Sequence, residues 1–303
     1  MSAAASARQP SAALWMLLAA FLFSTMGVCV KLASSHFNAS ELVFYRGLVS
    51  MAVMAAFMRA RRTPLATRVP SAHAWRCITG VLAMSAWFYA IIHLPLATAM
   101  TLNYMSSIWV GAFLIGGSLL LGRASTGQGP LIAAVLASFA GVVMILRPTL
   151  EQNQLFAGLV GLLSGLMSAL AYLQVTGLGR LGEPEERTVF YFAVACALGG
   201  ALGMGVAGVS PWDWGAAVWL LPIGILASGG QWCMTRAYSH GATLVVANLQ
   251  YSGIVFGALY SLLLFGDQIP LVGWLGMLLI TLSGIMATVL RTRHLPRTPA
   301  EEH

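Results

Sequence analysis

Residues 12–33 read AALWMLLAAFLFSTMGVCVKLA, an apolar stretch broken only by one lysine near its end. A run of about 20 apolar residues spans a bilayer as a helix, because no water is present there to satisfy the backbone. About nine similar runs follow before residue 290, so almost none of the 303 residues remain for a soluble domain. The sequence therefore predicts an integral membrane protein whose function depends on the residues enclosed between its helices.

The composition excludes a soluble enzyme. Hydrophobic residues make up 58% of the chain and charged residues 8%, against about 25% charged residues in soluble domains. The four cysteines lie singly inside apolar runs, without the spacing of a metal site, and we interpret them as packing residues. No cofactor, no metal and no catalytic residues are predicted.

The net charge of +7 is interpreted as a topology signal and not as a nucleic-acid-binding signal. Basic residues accumulate in loops that stay in the cytoplasm. Thirteen of the 16 basic residues fall on one side of the predicted helices, two (Lys31 and Arg147) fall on the other, and Arg46 lies within a helix. We therefore expect a multi-pass protein of the bacterial inner membrane with both termini in the cytoplasm.

Ten helices account for the apolar runs. In the first half they are placed at about 12–33, 40–58, 74–93, 97–120 and 130–147, and in the second half at about 156–178, 187–208, 215–238, 242–264 and 270–290. Residues 1–11 and 291–303 are then cytoplasmic tails. Residues 12–150 and 151–290 are the two halves of the bundle.

The second half of the chain resembles the first at a shift of about 144 residues. Val43-Phe44-Tyr45 matches Val189-Phe190-Tyr191, and Asn103-Tyr104 matches Gln250-Tyr251. Because each half has five helices, an odd number, the second half enters the membrane from the opposite side. The predicted fold is therefore all-α, with ten transmembrane helices in a 5+5 inverted repeat, an arrangement found in many secondary transporters.

Three further motifs resemble a known family. Residues 88–97 (FYAIIHLPLA) look like the end of the third helix in EamA-type members of the drug/metabolite transporter superfamily. Phe44-Tyr45-Arg46 resembles the second-helix arginine motif of that family, and residues 263–267 (LLFGD) resemble its Leu-Leu-Gly-Glu motif with aspartate in place of glutamate. The proline usual in the fourth and ninth helices is absent, and Arg123 replaces the first motif acid. The resemblance implies ten helices and alternating access, with export of amino acids and other metabolites or transport of nucleotide-sugar-like cargo.

Polar and aromatic residues inside the predicted helices are the candidates for a substrate site, because such groups are costly in lipid unless they meet partners or a watery cavity. Interhelical hydrogen bonding is the alternative interpretation for the serines and amides, and core packing is the alternative for the tryptophans. The substrate-binding candidates are Ser24, Trp87, Asn103, Tyr104, Ser107, Ser168, Tyr172, Gln231, Trp232, Asn248, Gln250 and Tyr251.

Three other residues are candidates for gating or proton transfer. His93 lies at the outer end of the predicted third helix, and His240 lies at the inner end of the predicted eighth. Both could titrate near neutral pH and gate opposite mouths, although interfacial histidines are the plainer interpretation. Arg46 could pair with Glu41, bind a carboxylate or reach the interface. The acidic turn Glu183-Pro184-Glu185-Glu186 is expected to be a solvated loop.

The predicted function is that of a secondary transporter which exports a small amphipathic metabolite by alternating access, from a central site between the two repeats. Amino acids, with aromatic ones as the narrower choice, are the best match to the aromatic and amide candidates. A membrane-embedded enzyme acting on a lipid or prenyl substrate and a channel are the alternatives. The expected partners are the small-molecule substrate and the bilayer, without nucleic acid, and the chain is expected to be a monomer or a weak homodimer.

Overall fold

The regular structure in the described part of the chain is entirely helical. The computed structural model describes residues 12–120, 133, 136–137, 140–144 and 154–294. The helices are α1 (Ala12–Ala33), α2 (Ala39–Arg61), α3 (Pro70–His93), α4 (Leu96–Tyr104), α5 (Ser106–Leu120), α6 (Leu155–Arg180), α7 (Glu185–Ala207), α8 (Trp214–Ala217), α9 (Leu220–His240), α10 (Thr243–Leu249), α11 (Ser252–Leu264) and α12 (Leu271–His294).

Seven segments of the described chain are long and apolar enough to cross a membrane. They are Ala12–Ala33, Ala39–Arg61, Pro70–His93, Leu155–Arg180, Glu185–Ala207, Trp214–His240 and Val245–Leu264. The integral membrane character predicted from the sequence is therefore confirmed. The predicted fifth helix, at 130–147, falls largely outside the described residues, and the count of ten stays a prediction.

Two of the predicted helices are broken in the middle. The fourth is divided at Met105 into α4 and α5, and the ninth is divided at Gln250–Tyr251 into α10 and α11. Gly165 of α6 lets that helix approach the first break, because a Cβ on it would lie 2.6 Å from the Leu102 carbonyl oxygen. The first break thus brings backbone groups against α6 inside the bundle, as in the discontinuous helices of many transporters.

The helix ends have local causes in the sequence. Asn38 and Glu41 form a capping box at the start of α2. Pro70 occupies the first turn of α3, where its missing N–H costs no hydrogen bond. Lys31, near the end of α1, donates from Nζ to the Ile91, Ile92 and Leu94 carbonyls at the end of α3. A cation at the last carbonyls of a helix is favourable.

Helix pairing brings the two halves of the chain together. The most extensive contacts are those of α2 with α7, of α3 with α6 and of α1 with α9. At the α2–α7 crossing, Gly47 lies directly against the backbone of Ala197, and Gly200 lies against the backbone of Phe44. Small residues at such crossings let helices approach closely. The bundle has two ends: the basic end carries the C-termini of α2, α6 and α9, and the far end carries those of α1, α3 and α7.

Candidate functional site

A cavity in the middle of the bundle is lined by residues of six helices. Aromatic and apolar side chains form most of its wall, and polar groups interrupt that wall at a few points. The lining residues are Phe23 of α1, Arg76, Gly80, Ala83, Met84 and Trp87 of α3, Asn103 and Tyr104 of α4, Ser168, Ala171 and Tyr172 of α6, Phe192 of α7 and Gln231 of α9. An apolar cavity with a few convergent polar groups is the usual form of a small-molecule site.

The cavity is small in this conformation. The centre of a water molecule can occupy about 30 Å³ of it, which is roughly the room that two waters need. A metabolite larger than that can enter only if the surrounding helices move apart.

Six of the predicted substrate-binding residues line this cavity, namely Trp87, Asn103, Tyr104, Ser168, Tyr172 and Gln231. The Asn103 amide donates from Nδ2 to Ser164 Oγ at 3.0 Å and to Ser168 Oγ at 3.2 Å, so it also joins α4 to α6. Trp87 Nε1 is buried and has no hydrogen-bond partner in the described chain. The Trp87 indole N–H is therefore an unpaired donor on a residue that lines the cavity.

The predicted residues near the two helix breaks are engaged with the protein itself. Ser107 Oγ donates to the Ala247 carbonyl and lies 3.4 Å from Gln250 Oε1, which joins α5 to α10. Ser24 Oγ donates to its own helix at the Ala20 carbonyl, 2.8 Å away. Tyr251 is buried at the second break. Interhelical hydrogen bonding, the alternative interpretation of these positions, describes what Ser107 and Gln250 do.

Trp232 and Asn248 do not line the central cavity. The Trp232 ring packs edge-on against Trp15, with ring centroids 5.2 Å apart, and against Phe57 at 5.7 Å. The Arg61 guanidinium lies 5.6 Å from the Trp232 centroid, which places the indole at the basic end. Asn248 lies in the last turn of α10 and is half-buried.

Two guanidinium groups are buried beside the cavity without a carboxylate partner in the described chain. Arg46 is 1% exposed and Arg76 is 2% exposed. Arg46 Nη1 donates to Cys196 Sγ at 3.2 Å, and Arg76 Nη2 donates to Gln231 Oε1 at 3.3 Å. Both guanidiniums lie over the Phe192 ring, at 5.1 Å and 4.2 Å from its centroid. Nε of both residues and Nη1 of Arg76 have no hydrogen-bond partner in the described residues.

These contacts do not compensate for burying two positive charges. A desolvated cation–π contact contributes about 2 kcal/mol, whereas taking a charged group out of water costs several kcal/mol. The predicted pairing of Arg46 with Glu41 is not formed, because the Glu41 carboxylate accepts hydrogen bonds from the Asn38 backbone and from Ser210. The cavity wall therefore carries positive charge that a bound anion would neutralise.

Arg76 was not among the predicted site residues. The predicted third helix begins at about residue 74, which places Arg76 at its end among the cytoplasmic basic residues. The helix begins earlier, at Pro70, so Arg76 lies nearly two turns inside it. The proline six residues upstream, a residue favoured at the first helical position, is the signal in the sequence that could have shown this.

The two candidate histidines lie at opposite ends of the bundle, and both are exposed. The His93 ring stacks on Tyr89 with centroids 4.0 Å apart, and it lines a wide depression at the far end. His240 Nδ1 lies 3.0 Å from the Arg236 carbonyl oxygen and 3.6 Å from Glu185 Oε1, at the basic end. Neither ring lines the central cavity.

The acidic turn at the basic end is not a solvated loop. Glu183 Oε2 lies 3.0 Å from both His73 Nε2 and Arg187 Nη1, and its Oε1 accepts from Thr67 Oγ1 at 2.8 Å. Glu186 Oε1 accepts a 2.7 Å hydrogen bond from Thr63 Oγ1. These bonds fasten the α2–α3 connection to the α6–α7 turn at the basic end.

Loss of the Glu183 charge is expected to free the α2–α3 connection. Burial raises the pKa of the Glu183 carboxyl, but hydrogen bonds from His73, Thr67 and Arg187, with the charge of Arg187, outweigh burial and lower the pKa overall. The anchoring is therefore complete above the ordinary carboxyl pKa and is lost as the pH falls through the lowered value. At pH 7, Glu183→Gln should speed tryptic cleavage at Arg62 and Arg68 about tenfold, the factor for losing a charge-assisted hydrogen bond.

The matched control is Arg180→Lys, which keeps a tryptic site at an exposed position three residues before Glu183. Trypsin should cleave this variant at Arg62 and Arg68 at the parent rate. Equal cleavage of the Glu183→Gln variant and the parent would show that Glu183 does not hold the connection.

Comparison with known proteins extends over most of the chain. Residues 10–147 match the model of the EamA-like transporter family. A pseudopaline exporter of Pseudomonas aeruginosa is 32% identical over 262 residues, which are 86% of this chain and 89% of that protein. A riboflavin transporter of Rhizobium johnstonii is 26% identical and covers 88% of this chain and 87% of its own length. One solved crystal structure superposes with a TM-score of 0.68 at 20% identity, over 94% of this chain and 99% of that one, and shows likeness of fold.

Proposed function

This chain belongs to the EamA-like transporter family, and from that premise we propose that it is a secondary transporter exporting a small amphipathic metabolite, with an aromatic amino acid as the narrower choice. Membership in a family of transporters removes the membrane-embedded enzyme from the alternatives. The chain is a multi-pass membrane protein that acts on a small molecule. The nature of the cargo, the direction of transport and the mechanism are the parts that we propose.

The central cavity is the observation that carries the proposal. It lies where helices from both halves of the chain meet, and it combines the Trp87, Tyr104 and Phe192 rings with the Asn103 and Gln231 amides. Aromatic rings suit a flat or partly apolar solute, and a few amides can orient its polar end. The pseudopaline exporter and the riboflavin transporter, by their names, act on small organic molecules.

Alternating access between two inverted halves is the proposed mechanism, and the helix pairing supports it. If the five predicted helices of the first half correspond in order to those of the second half, α1 corresponds to α6, α2 to α7 and α3 to α9. The α1–α9 pair then corresponds to the α6–α3 pair, and the α2–α7 pair corresponds to itself. The breaks at Met105 and Gln250–Tyr251 also fall at corresponding positions. Two similar halves can exchange conformations, so that one arrangement opens inward and its counterpart opens outward.

We further propose that the basic end faces the cytoplasm of a bacterial cell, as the distribution of arginines favours. Cysteines introduced at Arg62, on the basic end, and at Val209, on the far end, should behave oppositely toward a membrane-impermeant thiol reagent. In intact cells Val209→Cys should be labelled and Arg62→Cys protected, whereas in inverted vesicles the pattern reverses. Labelling of Arg62→Cys from outside would contradict this orientation.

Transport is proposed to proceed down the solute gradient without an imposed ion gradient. The described carboxylates lie at helix ends or in turns, away from the cavity, and a proton relay inside a bundle needs buried acids or histidines. Liposomes that contain the purified protein and are preloaded with L-tryptophan, L-phenylalanine or riboflavin should release the solute faster than protein-free liposomes do, with no pH gradient. The competing idea is a relay through the two histidines. It predicts no flux without a pH gradient. It also predicts that a pH gradient drives uptake and that the double variant His93→Gln/His240→Gln abolishes this uptake.

A further inference from the structure

Arg76 lines the central cavity and carries unused hydrogen-bond donors. Its side chain lines the cavity and is 2% exposed. Nη2 meets Gln231 Oε1 at 3.3 Å, while Nη1 and Nε have no partner in the described chain. A guanidinium is a planar fork of five donors that matches the two oxygens of a carboxylate. The donors left free on Arg76 are thus the kind that a carboxylate of the cargo would accept.

The position of this guanidinium depends on Gly80, one turn further along α3. A Cβ on Gly80 would overlap Arg76 Nη1 and would lie 2.7 Å from Cε2 of Phe192. The missing side chain leaves the space in which the guanidinium lies over the Phe192 ring, 4.2 Å from its centroid. The Arg76 guanidinium therefore lies beside the cavity, between its own helix and the ring.

The charge around this point is positive and is not neutralised by the described chain. Arg46 lies over the same Phe192 ring and shares its burial. The carboxylates of the described residues are all in turns or at helix ends: Glu41, Glu183, Glu185, Glu186, Asp213 and Asp267. The interior of the bundle thus favours a guest that carries a negatively charged group.

We propose that Arg76 binds a carboxylate of the transported molecule, so that the cargo is an organic carboxylate whose flat, apolar part lies against Trp87 and Tyr104. This inference rests on the proposed function, because it places the cargo in the central cavity. A carboxylate is favoured over a phosphate ester because Arg76 alone of the two arginines lines the cavity, and one guanidinium matches one negative charge.

Binding can be tested without transport, by comparing acids with amides of the same shape. Purified protein in detergent is titrated with indole-3-acetate or indole-3-acetamide, and with phenylacetate or phenylacetamide. The dependence of the thermal unfolding midpoint on probe concentration gives an apparent Kd. Both carboxylates should bind more tightly than their amides. Arg76→Gln should weaken carboxylate binding about 10- to 100-fold, the factor for losing a charge-assisted hydrogen bond, and leave amide binding unchanged.

Two further variants keep the test decisive if Arg76→Gln does not fold. Gly80→Ala should displace the guanidinium and reduce the preference for carboxylates, while the charge of the protein stays the same. Arg61→Gln is the matched control, because Arg61 is exposed and lies over the Phe57 ring at 4.4 Å, outside the cavity. It should retain the full preference.

Equal binding of acids and amides, no binding of either carboxylate, or a preference that survives both cavity variants would each overturn the proposal. Stabilisation by phenyl phosphate but by neither carboxylate would also overturn it. The result is independent of the transport assay. Carboxylate binding that depends on Arg76, without any flux, would support this inference and contradict the proposed function. Flux that is unchanged in Arg76→Gln would support the proposed function and contradict this inference.

Discussion

Gly47→Leu is expected to reduce the yield of folded protein by tenfold or more. A Cβ on Gly47 would overlap the backbone N and Cα atoms of Ala197 at the α2–α7 crossing. A backbone cannot turn aside as a side chain can, so the two helices must separate along their length. Overpacking in a core usually costs about 1–3 kcal/mol, and a clash with backbone at a helix crossing should cost at least the upper value. The measurement is the monodisperse yield on size-exclusion chromatography, with the thermal unfolding midpoint.

Gly205→Leu is the matched control for this substitution. Gly205 belongs to α7, the partner helix, and a Cβ added to it meets no atom within 4 Å. It should give the parent yield and midpoint, since a larger apolar side chain there faces open space. If Gly47→Leu also gives the parent yield and midpoint, the close α2–α7 crossing is not what holds these helices together.

Substitutions in the cavity wall are expected to remove transport while the protein still folds. Trp87→Ala and Tyr104→Ala each delete an aromatic surface of the central cavity, and Gln231→Ala deletes an amide. We expect flux in liposomes to fall about tenfold or more for each, because a bound solute loses a packed ring or a hydrogen bond worth about 1.4 kcal/mol or more. Tyr251→Ala, at the second helix break, should reduce flux as well, through the position of α11.

Deleting a buried ring also leaves a void that lowers stability, so flux is compared at equal amounts of reconstituted folded protein. Tyr104→Phe keeps the ring and should retain more flux than Tyr104→Ala. Trp214→Ala is the matched control, since Trp214 is 80% exposed and remote from the cavity. Parent flux in all three cavity variants would place the site elsewhere.

The sequence predicts the helices well because membrane crossing leaves a strong one-dimensional signal. An apolar run must be about 20 residues long, and its ends are marked by prolines and charges. The observed α1, α6 and α7 begin and end within about three residues of the predicted bounds. The breaks at Met105 and Gln250–Tyr251 were not predicted. No proline marks them, and they depend on contacts with other helices, such as Ser107 with the Ala247 carbonyl.

The site was predicted only in part because composition does not say which way a side chain points. Trp87, Tyr104 and Gln231 line the cavity, while Trp232 packs at the basic end, although both tryptophans are equally deep in sequence terms. Arg76 is not recognisable as a site residue in the sequence, because a basic residue near a helix end is usually interfacial. The burial of the acidic turn could not be predicted from the local sequence. The residues that bury it, such as His73, are about 110 positions away in the chain.

Counterflow in liposomes tests most directly whether this protein is a carrier with a central site. Liposomes containing the purified protein are preloaded with an unlabelled solute that the protein transports, and the entry of labelled solute is followed. Alternating access predicts that preloading accelerates entry several-fold and produces a transient accumulation of label. The reason is that each unlabelled molecule carried out leaves the binding site facing outward, where it can take up a labelled molecule. Trp87→Ala liposomes should lose the acceleration. Entry that is independent of preloading would contradict the account and indicate a channel.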